Sequence, residues 1–185
     1  MPGAVRYAHI SDWAAIEDLV VLGRPGAAHP LLDAVYGEQT AKLYGLISTE
    51  TAALGCEYVG WPAPVPQTAS ADESLHVFIR NKFKNGTPTD EVLGTNDEPF
   101  PGALYDVDAL TVSPEQTFFG SSYLAVQQRV SSMEGKLLRP WEQANGLRPG
   151  TVVMVSADLC VLKQHKWAGW RFEMREMRVL HDSDA

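Results

Sequence analysis

The chain has 185 residues, 45% hydrophobic and 21% charged, a composition that suits one globular domain and excludes a disordered chain. Fifteen Lys/Arg against 23 Asp/Glu give a formal net charge of -8, which weakens general attraction to phosphate and argues against a non-specific nucleic-acid coat. No apolar run approaches the about 18 residues of a membrane span, and the start MPGAVRYAHISDWAAIEDLVV places Asp and Glu where a signal peptide needs an unbroken apolar core. The expectation is an intracellular protein, cytoplasmic or nuclear, not secreted and without a membrane partner.

In chain order, Ser11 caps an expected helix carrying Trp13, Ile16, Leu19 and Val20, stopped by Gly23-Arg24-Pro25-Gly26. A second short helix is expected over residues 31–36, ending at Gly37. The two would form a helical N-terminal arm over 1–39. From Thr40 the pattern changes: AKLYGLIST (41–49), EYVGW (57–61), LHVFIRNKF (75–83) and LYDVDALTV (104–112) are short, rich in β-branched and aromatic residues and separated by turn formers, and so are expected strands. The Pro-rich stretches around 62–74 and 85–102 read as long loops. Tyr123, Val126, Val130, Met133 and Leu137 recur at helical spacing and predict a helix over 121–138. Alternation in LRPGTVVMVSADLCVLK predicts a strand. WRFEMREMRVL fits either a helix or a strand with one bulge near Arg175-Glu176; the strand and short Gly-containing connection before it favour a hairpin.

Charge is unevenly spread. Residues 136–185 hold eight Lys/Arg and six Asp/Glu, a balance of +2, whereas the rest of the chain stands at -10. Cys56 and Cys160 have no CxxC spacing, so two reduced thiols are expected in place of a disulfide framework or structural zinc. GxSxG, HExxH, GxxxxGK[ST] and GxGxxG are all absent, which leaves no catalytic residue to nominate and no cofactor to expect. Asp106 and Asp108 alternate onto one side of a strand and could hold a metal with a third carboxylate, but paired acids also occur on solvent-facing strands.

The order strand, strand, strand, helix, strand, strand resembles the OB-fold of single-stranded-DNA-binding domains. The resemblance rests on the segment 121–138, the entry LRPGTVVMVSADLCVL and the closing GWRFEMREMRVL, and spans residues 40–181. It implies an α+β, β-rich fold: an OB-like five-stranded barrel over 40–185 with a helix between strands 3 and 4, preceded by the helical arm. It also implies single-stranded nucleic-acid binding across a basic and aromatic face. The residues nominated are Lys163, Lys166, Trp167, Trp170 and Arg171 around the closing hairpin, and Phe78, Arg80, Lys82, Phe83 and Lys84 on a second patch. Trp170 also fits a core role, and the basic residues also fit cross-strand ion pairing with Glu173 and Glu176. The alternative function is a protein-interaction or self-assembly module, with a partner chain or another copy as its ligand.

Overall fold

The computed structural model describes residues 2–9, 18–23, 29–58, 75–79, 82–107, 123–148 and 150–182. Its elements are β1 (Pro2–His9), β2 (Asp18–Gly23), α1 (Pro30–Ala53), β3 (Glu57–Tyr58), β4 (Leu75–Ile79), β5 (Phe83–Asn85), β6 (Val92–Leu93), β7 (Leu104–Asp106), β8 (Tyr123–Val126), β9 (Val130–Ser131), α2 (Pro140–Gly146), β10 (Val152–Gln164) and β11 (Trp167–His181). One mixed sheet has seven strands in the order β10-β1-β2-β4-β11-β3, with β9 also on β11 and β10 paired to β11 as well; a second has four, β5-β8-β7-β6.

The long β10–β11 hairpin organises the first sheet. Its strands pair antiparallel from Val152↔His181 to Gln164↔Trp167, and the free side of β11 takes β3, β4 and β9 in parallel at successive positions. Ala168, Trp170 and Phe172 are buried, then Met177 and Val179. Their parity changes because Ser156 pairs with Glu176 and Ala157 with Met174, leaving Arg175 as the extra residue of a bulge. Without it, a strict period of two would turn Met177 and Val179 outward. The inner face packs Val153, Val155, Phe172, Met177 and Val179 on Leu22, Tyr36, Val77 and Ile79. A second cluster, Ala103, Tyr105, Val107 and Ala125, fills the smaller sheet and is covered by Trp141, whose ring meets Tyr105 edge-on at 5.1 Å.

Four expectations are corrected. The architecture is a sheet-rich α+β fold of two mixed sheets, in place of an OB-like five-stranded barrel. Of the N-terminal arm, residues 2–9 and 18–23 are strands β1 and β2 of the seven-stranded sheet, the helix expected over 31–36 is the first part of α1 and does not end at Gly37, and residues 11–17 lie outside the described residues. The segment 41–49 is helix, part of the 24-residue α1, which also runs across the expected boundary between residues 39 and 40. Its buried face is Tyr36, Thr40, Ile47 and Thr51, with Leu43 beside them; two threonines on that face dilute the apolar period that would have announced a helix. Lys42 and Glu38, one turn apart, form an ion pair at 2.6 Å on the exposed side.

The helix expected over 121–138 is absent among the described residues 123–138. Tyr123–Val126 is a strand of the small sheet and Val130–Ser131 a strand of the large one. Their apolar residues coincide with a helical period but serve two cores: Tyr123 packs on the second cluster, whereas Val130, 0% exposed, belongs to the first. Between them buried Gln127 donates from Nε2 to the carbonyls of Gln128 and Leu138, both at 2.8 Å, which fixes the crossing without a helix. Among the described residues no helix is long and apolar enough to cross a membrane.

Candidate nucleic-acid interface

The hairpin closes with His165 and Lys166 between the paired residues Gln164 and Trp167. A two-residue connection that reverses right-twisted strands needs a positive φ, and His165 supplies it at φ 53. The turn projects Lys166 and Trp167 into solvent. The Lys166 ammonium sits 5.0 Å from the centre of the Trp167 ring, and the indole is 41% exposed.

Three residues away the second tryptophan has the opposite role. Trp170 is 7% exposed and its Nε1 donates to Thr51 Oγ1 at 2.8 Å. The same contact zone takes Lys163, whose Nζ donates to the Leu54 carbonyl at 3.3 Å, at the C-terminal end of α1 where a cation offsets the helix dipole. Glu57 N donates to Lys166 O at 2.7 Å. Helix α1 and β3 therefore anchor one side of the tip through Trp170 and Lys163, and leave Lys166 and Trp167 outside.

Alternation places Trp167, Arg171 and Glu173 on the outward side of β11, and β4 brings Phe78 to that side opposite Glu173. Arg171 thus lies over the Phe78 ring at 5.8 Å, joining two nominated residues from distant segments. Both are already engaged: Phe78 is 8% exposed, and Arg171 Nε donates to Glu173 Oε1 at 2.7 Å with both side chains largely covered. Arg175 is tied to Asp158 at 2.7 Å across the bulge. Cys160, the register partner of Arg171, has its thiol pKa pushed up by burial and by the Glu173 and Asp158 carboxylates, which disfavours a reactive thiolate.

The second nominated patch does not stay together. Phe78 belongs to the seven-stranded sheet, whereas Phe83 and Lys84 are in β5 of the smaller sheet. Phe83 packs on the second core cluster. Lys84 pairs with Asp90 at 2.7 Å, and that bond, helped by the Thr87 amide, holds the Asp90 carboxyl below its ordinary value. Lys82 lies 5.9 Å from the Phe83 ring. It keeps some accessible surface, yet protein around its ammonium pushes its pKa down to about 8. Arg80 lies outside the described residues. So does Asp108; among the described residues no group of three His, Cys, Asp or Glu side chains could hold a metal.

The self-assembly reading takes the apolar residues of the hairpin as a contact, and the structure shows which of them face solvent. Val161 and Leu162 are 41% and 50% exposed, and among the described residues β10 pairs beyond Val155 with β11 only. An alternating strand looks the same in sequence whether or not its edge is covered, so only the pairing reveals this. No protein-family model, no curated protein and no solved structure matches the chain.

Proposed function

We propose that the chain is a non-enzymatic binding module for single-stranded nucleic acid, probed by the tip of the β10–β11 hairpin. The observation that carries this reading is the solvent-facing Trp167 indole with the Lys166 ammonium 5.0 Å from its ring, on a turn. A base stacks on such a ring whatever its identity, and the neighbouring ammonium meets the phosphate of the same nucleotide. Lys163 adds a third element of the tip, turned toward the helix end. The local arrangement outweighs the overall charge of -8 because screening confines charge effects to about 8–10 Å at physiological ionic strength. The test is titration of labelled single-stranded DNA and RNA against duplex controls at two salt concentrations. Salt-sensitive binding with tryptophan quenching is expected; no binding at low salt removes this function.

A second reading, a protein-interaction or self-assembly module, is favoured by the exposed Val161 and Leu162 on a strand whose far edge has no partner among the described residues. Such an edge accepts an added strand. Light scattering separates the two: a mass that rises with concentration, without oligonucleotide affinity, selects assembly.

A further inference from the structure

At the base of the hairpin, far from its tip, the outward side of β10 and β11 is the floor of a cleft of about 350 Å³. Met154 lies opposite Arg178 there, and Ser156 opposite Glu176. The wall is the turn after β9. Ser132 N donates to Lys136 O at 2.8 Å, Gly135 N to Ser132 O at 3.0 Å, and Leu138 N to Val130 O at 2.7 Å; Gly135, at φ 82, takes the left-handed conformation the turn needs. The wall is bound to the floor by Met177 N donating to Arg129 O at 2.8 Å and Arg178 Nη2 to Met133 O at 3.1 Å. A cleft held this way exists before any ligand arrives.

Two arginines, Arg129 and Arg178, are among its lining residues. Among the described residues neither is in an ion pair, whereas Arg171, Arg175, Arg139 and Lys84 each have a carboxylate partner. Glu176 also lines the cleft and is likewise unpaired among the described residues. The local balance is therefore +1, beside the apolar side chains of Met154, which is exposed, and Leu137.

We propose that this cleft binds a small carboxylic acid, its carboxylate held by Arg129 and Arg178 and its apolar body laid on Met154 and Leu137. A guanidinium matches a carboxylate in two parallel hydrogen bonds, and one negative charge closes the local balance. A phosphate monoester carries about -1.5 to -2 at neutral pH and would set surplus negative charge against Glu176. The carboxylate can come from a free acid or from a peptide C-terminus, which share this chemistry.

The test uses the full chain, isothermal titration and four probes: benzoate for a free acid, N-acetyl-leucine for a peptide C-terminus, N-acetyl-leucinamide as its neutral analogue, and phenyl phosphate. At least one acid is expected to bind about tenfold or more tightly than the amide, and the stronger acid identifies the source. Arg129→Gln keeps the stem and removes the charge; it should lose that advantage, and Arg129→Lys should recover part of it. Equal binding of the amide, tighter binding of phenyl phosphate, or an Arg129→Gln variant with full affinity and native circular dichroism would each overturn the proposal.

Discussion

Trp167 and Trp170 stand three residues apart in sequence, and replacing each by alanine should produce opposite phenotypes. Trp170 is 7% exposed and its indole N–H is hydrogen-bonded to Thr51 at 2.8 Å. Truncating a buried tryptophan costs about 3–5 kcal/mol, and the stranded Thr51 hydroxyl falls within the about 1–3 kcal/mol of an unsatisfied buried group. Most of the stability of a single domain, about 5–15 kcal/mol, would be at risk. Trp167 is 41% exposed, so Trp167→Ala should move stability by no more than about 0.5 kcal/mol, as for a surface site. It should instead weaken oligonucleotide binding by the about 1–3 kcal/mol of one lost base stack, about 5-fold to 150-fold in affinity. Urea titrations give the stabilities and fluorescence anisotropy with a labelled oligonucleotide gives the affinities. Trp170→Phe, which keeps most of the apolar volume, isolates the hydrogen bond should the alanine variant not fold. A Trp167→Ala variant destabilised as much as Trp170→Ala, or one that binds the oligonucleotide with unchanged affinity, refutes the division of labour.

Lys166→Ala should lower the slope of log affinity against log salt by about 0.7 for a single strand, the share of one phosphate contact; an unchanged slope across a salt series places the phosphate elsewhere. Gly45 lies exposed inside α1 with nothing within 4 Å of an added Cβ, so Gly45→Ala should stabilise the protein by about 0.5–1 kcal/mol, read as a higher thermal midpoint. Lys82 has a folded pKa of about 8 against 10.5 for the free group. Between those values the unfolded chain keeps a proton that the folded chain has released, so this residue's contribution to stability rises with pH across the window, and its penalty is complete below pH 8. Lys82→Met should thus gain stability over the wild type at pH 7 and lose that advantage as pH approaches 10.5; a gap constant with pH would show that the ammonium is well solvated.

What could be read from the residues was the closing hairpin, including its bulge. LRPGTVVMVSADLCVLK alternates over enough positions to define a strand, and the parity change around Arg175-Glu176 is visible as a break in the apolar period of WRFEMREMRVL. The helix α1 was not legible as one element, because Thr40 and Thr51 occupy its buried face and Gly37 and Gly45 interrupt its run. The 121–138 segment misled for the reverse reason. A helical spacing of apolar residues can arise when two short strands serve two different cores, as Tyr123 and Val130 do.

The candidate site divides in the same way. Clustering of Lys163, Lys166, Trp167, Trp170 and Arg171 is a property of the chain alone, since a short connection between two strands brings residues near it together. Which of them faces solvent was decided by elements remote in sequence: α1 supplies Thr51 and the Leu54 carbonyl, and β4 supplies Phe78. By itself, then, the sequence determined periodicity, local turns and where positive charge and indoles gather, because these follow from residues a few positions apart. Only the tertiary structure decided which cations are neutralised, which tryptophan is enclosed and that Arg129 and Arg178 line one cleft, because burial and pairing depend on surfaces that chain distance does not encode.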